Sequence, residues 1–273
     1  MADERRELPI AVFDSGVGGL TVLHECLVSL PAEDFVYLGD DAQFPYGAKT
    51  ARQLGVCVRR NVMFLLERGA KLLVIACNSA TGAGEDVARE IARRHQIEVV
   101  TVIEPEAEIA AAISDSGRVG VLATPATVEG GAYLRALARQ YRDLTVTQVE
   151  APDLAAIIQR GFPFSEAVVE KVRSYCVPLH DSGVDTVILG CTHYPLVAPM
   201  LQRILGRDVR LVTAGHAVAA TVQRILESRE LETAGDGEGD YRFLCTGDPE
   251  AFRELGTRFL QMPVGDVEHV DVV

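Results

Sequence analysis

The chain has 273 residues, 48% of them hydrophobic and 24% charged, with a formal net charge of -13. That composition is ordinary for a soluble globular enzyme, and the length suffices for two modest domains or one large one. The acidic balance and the lack of a Lys/Arg-rich block argue against a nucleic-acid groove. The charged start "MADERREL" and the strand-length apolar runs argue against a signal peptide and a membrane helix, so we expect a cytoplasmic protein.

Short aliphatic runs alternate with longer stretches of helical period along the chain. "IAVF" at 10–13 leads to "GLTVLHECLVSL", "LLVIAC" at 72–77 leads to "GEDVAREIARRH", and "RVGVLAT" at 118–124 leads to "GAYLRALARQY". Strands of four to six residues separated by such stretches predict parallel βαβ units and an α/β fold. An open sheet of this kind binds ligands beyond the carboxyl ends of its strands.

Two cysteine segments look like an internal repeat. "RGAKLLVIACNSAT" at 68–81 and "SGVDTVILGCTHYP" at 182–195 share a glycine turn, an aliphatic strand, a small residue, a cysteine and two polar residues. The repeat predicts two similar lobes, each a mostly parallel sheet flanked by helices, with the active site in the cleft between them. We assign residues 1–97 and 212–273 to the first lobe and residues 98–211 to the second.

Cys77 and Cys191 each end a predicted buried strand, where a following helix N-terminus can stabilise a thiolate. We expect Asn78 or Ser79 to cap the first of these helices and the second to begin near Leu196. The alternative is that both thiols only fill space in the core, which is the commoner fate of cysteine. The repeated context favours a functional pair.

Polar residues close other predicted strands as well. Asp14 and Ser15 precede a glycine turn in "FDSGVGG", which fails the dinucleotide-binding G-x-G-x-x-G pattern because Thr21 stands at the third glycine. Asp14 either caps the following helix or orients a thiol or a substrate ammonium group. His193 would share a face with Cys191 if the chain is extended there, although a lone histidine is more often structural.

Three further features remain open on the residues alone. "FPYGAKT" at 44–50 is typical of an ordinary turn, while Thr124 and Thr127 in "LATPATVEGG" could hold a carboxylate or simply cap a helix. Cys245 also closes an apolar run, but no segment mirrors it, so we interpret it as structural.

The absence of C-x-x-C or another ligand spacing predicts no metal site. The cysteines that we assign to the core of helical stretches are Cys26, Cys57 and Cys176.

Five motifs follow one another along the chain: "FDSGVGG", "FPYGAKT", "ACNSAT", "ATPATV" and "GCTHYP". In this order and at these separations they resemble the glutamate racemase family of the aspartate/glutamate racemase superfamily, from about Ile10 to Phe252. The resemblance implies a cofactor-independent isomerase that makes D-glutamate for peptidoglycan, and so serves cell-wall biogenesis and cell shape. It also implies two α/β lobes with L- or D-glutamate bound between them.

The resemblance also implies a role for each site residue. Cys77 would take the proton from D-glutamate and Cys191 from L-glutamate, which fits the need to remove a Cα proton from one face and return one to the other. Asp14 would assist the first thiol and His193 the second. The residues implied to bind the carboxylates and the amino group are Asp14, Ser15, Tyr46, Gly47, Asn78, Ser79, Thr124, Thr127, Thr192 and His193.

The sequence departs from the family pattern in the segment "APDLAAIIQRG". Gln159 stands where the family usually has a glutamate, and Ala151 replaces a cysteine before the proline. Glu150 is out of register, so we transfer no role to it. An auxiliary carboxylate near Cys191 is therefore expected to be missing.

Other functions stay open at this point. The nearest is a racemase of aspartate or another acidic amino acid with the same thiol pair, and the alternative from another class is a two-lobed ligand-binding regulatory protein. A hydrolase using Cys191 would leave Cys77 unexplained. A pyridoxal-phosphate racemase needs a Schiff-base lysine, and Lys49, Lys71 and Lys171 lie in no convincing site. The oligomeric state is open, a homodimer included.

Overall fold

The computed structural model describes residues 5–161, 165–235 and 237–272. The strands of these residues are β1 Ile10–Asp14, β2 Phe35–Gly39, β3 Leu72–Ile75, β4 Glu98–Thr101, β5 Arg118–Ala123, β6 Thr145–Glu150, β7 Thr186–Gly190, β8 Arg210–Val212, β9 Tyr241–Cys245 and β10 Val267–His269. The α-helices are α1 Leu20–Ser29, α2 Ala51–Glu67, α3 Asn78–Arg94, α4 Ile103–Ile113, α5 Pro125–Glu129, α6 Ala132–Ala138, α7 Leu154–Gln159, α8 Glu166–Asp181, α9 Ala198–Leu205, α10 Ala214–Arg229 and α11 Pro249–Leu260. Short 3₁₀ turns occupy Asp41–Gln43, Tyr46–Ala48 and Tyr194–Val197.

The strands form two separate sheets. The six-stranded sheet has the order β10-β9-β2-β1-β3-β4 and the four-stranded sheet the order β6-β5-β7-β8. Every recorded pairing is parallel. The inner strands, such as β1, β3 and β7, are buried on both faces by the helices that connect them, which is why they appear in the sequence as continuous aliphatic runs. The predicted α/β fold of two parallel sheets flanked by helices is confirmed. We call the six-stranded sheet with its helices the six-stranded lobe, and the four-stranded sheet with its helices the four-stranded lobe.

The chain changes sheets later than the predicted boundary between residues 97 and 98. β4 pairs with β3 in the six-stranded sheet, so Glu98–Thr101 lies outside the lobe to which the boundary assigned it. Val99 and Val100 are buried there and extend the aliphatic layer of that sheet. At the other boundary β8, which ends at Val212, still pairs with β7 in the four-stranded sheet. The remaining division of the chain into lobes stays a prediction.

Side chains of β1 show how the core is organised. Ile10 and Val12 belong to one cluster of buried residues that continues through both lobes, whereas Ala11 and Phe13 belong to a second cluster on the opposite face. Successive strand residues point to opposite faces, so one strand serves both clusters. Because the larger cluster spans both sheets, the two lobes share a core. None of the helices in the described ranges is long and apolar enough to span a membrane.

Candidate active site

The segments that follow β1, β3, β5 and β7 meet in one small cavity of about 30 Å³. Cys77 and Cys191 both line it and are 5% and 8% exposed, so the two thiols are almost wholly enclosed. This is the position that open α/β sheets favour for ligands. The residues that line the cavity are Ser15, Phe44, Pro45, Tyr46, Gly47, Ala48, Cys77, Asn78, Ser79, Thr124, Pro152, Ala155, Ala156, Cys191, Thr192 and His193.

Cys77 is itself the N-cap of helix α3. Its sulfur accepts the backbone N–H of Ala80 at 3.5 Å, so the prediction that Asn78 or Ser79 caps this helix is wrong by one or two residues. The cysteine ends the extended chain after β3, and its side chain reaches the first unsatisfied N–H groups of the helix. Burial raises the pKa of the Cys77 thiol well above its ordinary value, the negative charge of Asp14 raises it further, and the N–H of Ala80 opposes both.

Cys191 and His193 are brought together by a turn and not by an extended chain. The backbone of His193 is helical, at φ -78° and ψ -32°, and the 3₁₀ turn Tyr194–Val197 follows before helix α9 begins at Ala198. The prediction of an extended chain at His193 is therefore wrong, whereas the predicted helix start near Leu196 is confirmed to within two residues. The Cys191 sulfur still lies 3.9 Å from Nδ1 of His193. Burial raises the pKa of this thiol to about 12.

The other nitrogen of His193 contacts the glutamine that departs from the family pattern. Nε2 lies 2.8 Å from Oε1 of Gln159, an oxygen that can only accept, so Nε2 carries the hydrogen and Nδ1 faces the sulfur with its lone pair. Aromatic rings of Phe44 and Phe259 pack on the imidazole at centroid distances of 5.5 and 5.1 Å. Burial lowers the pKa of His193 to about 3, so the ring is neutral at neutral pH.

Asp14 lies one layer behind the cavity surface. Its Oδ1 accepts the N–H of Gly16 at 3.0 Å and its Oδ2 accepts the hydroxyl of Thr192 at 3.3 Å, so this carboxylate joins the two lobes. The N-cap of α1 is Gly19, which has no side chain of its own, and the backbone N–H of Gly19 is among the groups that hydrogen-bond to Asp14. Asp14 therefore lies at the N-terminus of this helix, as the capping alternative expected. Burial raises the pKa of Asp14 to about 6, and its hydrogen bonds oppose the shift.

Three hydroxyl groups form a cluster between the lobes. Ser79 Oγ lies 2.9 Å from Thr124 Oγ1 and 3.2 Å from Thr127 Oγ1, and the two threonine oxygens are 3.0 Å apart. Thr124 is the N-cap of α5 but makes no capping bond with its side chain, contrary to the capping alternative. Ser79 and Thr124 line the cavity, whereas Thr127 supports them from behind. Hydroxyls both donate and accept, so the cluster can turn its hydrogens toward an incoming carboxylate.

Tyr46 and Gly47 line the cavity, but the tyrosine hydroxyl is already engaged. It donates to Oδ2 of Asp40 at 2.5 Å and accepts from Asn61 at 3.1 Å. A substrate would therefore meet the ring or the backbone of Tyr46 and not its hydroxyl. A Cβ on Gly47 would come within 2.7 Å of Cβ of Thr124, so glycine allows this turn to lie directly against the other lobe. Asp40 was not singled out in the sequence.

Glu106 is a second buried polar residue that the sequence analysis did not single out. Glu106 on α4 is 1% exposed, and its Oε2 accepts the side-chain amide of Asn78 at 3.1 Å and the hydroxyl of Tyr133. The same amide donates to the Tyr133 hydroxyl at 2.7 Å. A signal was present: Glu106 falls in the buried stripe of α4 with Ile103 and Ala110, where a carboxylate is rarely found without partners.

The remaining candidates lie outside this cavity. Cys245 is buried at the end of β9, where its sulfur donates to the carbonyl of Gly247. Lys71 is buried in an ion pair with Glu33, and Lys171 is exposed beside Asp153. None of the chain's three lysines is among the residues that line the cavity.

Comparison with known proteins agrees with this arrangement. The family model of the Asp/Glu/hydantoin racemases matches residues 29–222. The glutamate racemase of Acidothermus cellulolyticus is 41% identical over 96% of this chain and 98% of its own length. That of Mycobacterium leprae is 42% identical over 96% of this chain and 95% of its own length.

Solved structures give the same relationship. The crystal structure of the glutamate racemase of Francisella tularensis subsp. tularensis SCHU S4, in complex with D-glutamate, superposes with a TM-score of 0.91. It is 31% identical to this chain and covers 98% of each protein. At this level of identity and coverage both the fold and the family are shared. The chain therefore belongs to the Asp/Glu/hydantoin racemases and, within them, to the glutamate racemase family.

Proposed function

We propose that the protein interconverts L- and D-glutamate with two opposed thiols, Cys77 and Cys191, and without a cofactor. The observation that carries the proposal is that each thiol follows a strand of a different sheet and that both line one enclosed cavity. Membership of the glutamate racemase family supports the assignment of glutamate as the substrate. We propose further that the product serves peptidoglycan synthesis in the cytoplasm.

Inversion at Cα sets the roles of the thiols. In the L-to-D direction the Cys191 thiolate removes the Cα proton from one face, and the Cys77 thiol gives its proton to the opposite face. Afterwards Cys191 is a thiol and Cys77 a thiolate, which is the state needed for the reverse reaction. A single base on one face cannot readily remove a proton there and deliver another to the opposite face, whereas a thiolate and a thiol on opposite faces can.

Forming either thiolate requires help from the substrate, because burial favours the neutral thiol on both sides. The ammonium group of an amino acid brings a positive charge into the cavity, which stabilises a nearby thiolate. Asp14 beside Cys77 and His193 beside Cys191 then act as proton relays. His193 offers a lone pair to Cys191, so it can take the thiol proton and return it.

The polar residues that line the cavity suit the rest of the substrate. Ser79 and Thr124 offer hydroxyls to one carboxylate, and the N-terminus of α3 adds backbone N–H groups with a favourable dipole. Ser15 and Thr192 offer hydroxyls near Asp14. Because these groups bond one another across the lobes in the enclosed form, substrate entry requires the lobes to separate. A homodimer remains compatible with this account and is tested by sedimentation.

The test is solvent-deuterium incorporation at Cα. Incubation of L- or D-glutamate with the protein in D₂O is expected to produce the other enantiomer carrying deuterium at Cα, with activity unchanged by EDTA. Aspartate in place of glutamate tests the alternative of another acidic amino acid. Binding of glutamate with no Cα exchange would contradict the proposal and favour a ligand-binding protein. Loss of activity in EDTA with recovery on adding metal would contradict the cofactor-independent mechanism.

A further inference from the structure

Glu106 is a buried carboxyl group for which the mechanism above has no use. It lies on α4, which packs on β7 and α6 and so belongs to the four-stranded lobe, as does Tyr133 on α6. Its partner Asn78 begins α3 of the six-stranded lobe and follows Cys77 directly. The contact therefore joins the two lobes at the residue next to a proposed catalytic thiol.

The contacts determine which way the Asn78 amide faces. The amide nitrogen of Asn78 donates one hydrogen to Glu106 Oε2 at 3.1 Å and the other to Tyr133 OH at 2.7 Å. Among the described residues, no hydrogen bond is made by the Asn78 side-chain oxygen, although Asn78 lines the cavity. An amide oxygen can only accept. The group that it can bind in a cavity holding an amino acid is therefore a donor.

We propose that Glu106 is a positioning residue that turns the Asn78 amide so that its oxygen accepts a hydrogen bond from the substrate ammonium group. The inference rests on the proposed function, since the ammonium is the donor of an amino-acid substrate while both carboxylates of glutamate only accept. Tyr133 completes the pair by donating to the same carboxyl oxygen. Burial raises the pKa of Glu106 to about 8, yet in either protonation state an oxygen remains to accept the amide.

The test compares Glu106→Leu with Glu106→Gln, using glutarate as a second ligand. Leucine removes one of the two acceptors of the Asn78 amide and leaves only the Tyr133 hydroxyl, so KM for both glutamate enantiomers is expected to rise about tenfold or more, with a smaller change in kcat. Glutamine keeps an acceptor oxygen and is expected to stay within about threefold of the wild type. Glutarate has both carboxylates but no ammonium, so its inhibition constant is expected to change less than about twofold in Glu106→Leu.

A control on the same helix is Glu104→Gln, because Glu104 is partly exposed and paired with Arg139 outside the cavity. It is expected to keep wild-type KM values. If Glu106→Leu does not fold, judged by circular dichroism, Tyr133→Phe removes the bridging hydroxyl and undergoes the same comparison of glutamate with glutarate. Equal effects of leucine and glutamine at position 106, or equal weakening of glutarate and glutamate, would overturn the inference. A wild-type protein without racemase activity would instead contradict the proposed function.

Discussion

The two thiol half-sites share a topology but differ in what lies beside the sulfur. Cys77 follows β3 and caps a helix of 17 residues, with the carboxyl group of Asp14 behind it. Cys191 follows β7 and precedes a 3₁₀ turn of 4 residues, with the neutral imidazole of His193 beside it. One thiol thus has a carboxyl group as its neighbour and the other an imidazole, so the symmetry of the repeat does not extend to the titrating groups.

Burial shifts the pKa values of Asp14 and His193 in opposite directions. Burial disfavours charge, so it raises the pKa of Asp14 to about 6 and lowers that of His193 to about 3. Both shifts favour the uncharged form of an enclosed site. At neutral pH Asp14 is mainly ionised and His193 is neutral.

The largest effect is expected from removing either thiol. Cys77→Ser and Cys191→Ser should each lower racemisation in both directions by about 10³-fold or more, because a serine hydroxyl cannot replace a thiol as acid and base. The measurement is polarimetric turnover of each enantiomer. The matched control is Cys245→Ser, a buried strand-end cysteine outside the cavity, which should stay within a few-fold of the wild type. Normal turnover in either active-site variant would mean that its cysteine only packs the core.

The next largest effect is expected at Gly18, where one lobe touches the half-site of the other. A Cβ there would lie 2.4 Å from Oγ1 of Thr192 and 2.5 Å from the ring of His193, so Gly18→Ala must displace both buried side chains. We expect turnover to fall about 10²-fold through misplacement of the Cys191 half-site. Gly55→Ala is the control, since open space surrounds that position on α2. It should keep activity and gain about 0.5–1 kcal/mol of stability.

A Gly18→Ala protein as active as the Gly55→Ala protein would contradict the close approach of the lobes. A crystal structure of the variant would then be expected to show Thr192 and His193 unmoved. If instead the two side chains have moved and activity persists, the position of His193 is less critical than the mechanism requires.

A smaller and one-sided effect is expected from Gln159→Leu. The leucine removes the acceptor that holds the Nε2–H of His193, so the imidazole loses its fixed tautomer beside Cys191. Proton removal by Cys191 should slow about tenfold while removal by Cys77 is nearly unchanged. The assay must follow a step specific to one thiol, because the equilibrium between the enantiomers fixes the ratio of the two kcat/KM values. Elimination from a β-chlorinated glutamate of each hand meets that need, and equal slowing for both hands would contradict the asymmetry.

The smallest expected effect is on stability between pH 6 and pH 5. His193 binds a proton more weakly in the folded protein than in the unfolded chain. Its contribution to the free energy of unfolding is therefore complete above about pH 6.5 and is lost as the pH falls. Asp14 binds a proton more tightly in the folded protein than in the unfolded chain. Its contribution to the free energy of unfolding is therefore complete below about pH 4 and is lost as the pH rises through about 6. Acidification by one unit therefore costs the wild type about 1 kcal/mol at His193 and returns about 1 kcal/mol at Asp14.

Two variants separate these opposing contributions in urea unfolding at pH 6 and pH 5. Relative to the wild type, His193→Asn should gain about 1 kcal/mol on acidification and Asp14→Asn should lose about 1 kcal/mol. Identical pH dependence in the three proteins would show that neither group is as enclosed in solution as its burial here indicates.

Much of the site follows from local sequence. Parallel strands buried on both faces appear as aliphatic runs, so the ends of β3 and β7 could be located, and with them Cys77 and Cys191. The backbone after each strand was less predictable. Cys77 replaces the expected cap because sulfur can accept an N–H, and the turn at His193 depends on packing of its ring between Phe44 and Phe259.

The contacts between the lobes could not be predicted from one sequence. Asn78 meets Glu106 and Tyr133 across 28 and 55 residues of chain, and no local pattern encodes that pairing. A polar residue in a buried helical stripe, as at Glu106, marks that a partner exists without saying which one.

Whether the two thiols face opposite sides of Cα is tested with the β-chlorinated glutamate of each hand and the variants Cys77→Ser and Cys191→Ser. Removal of the Cα proton expels chloride from Cβ, and the resulting enamine hydrolyses to 2-oxoglutarate and ammonia, so one base suffices. Cys77→Ser retains Cys191 and should release 2-oxoglutarate from the L-configured analogue, whereas Cys191→Ser should release it from the D-configured one. Preference of both variants for the same hand would contradict the account.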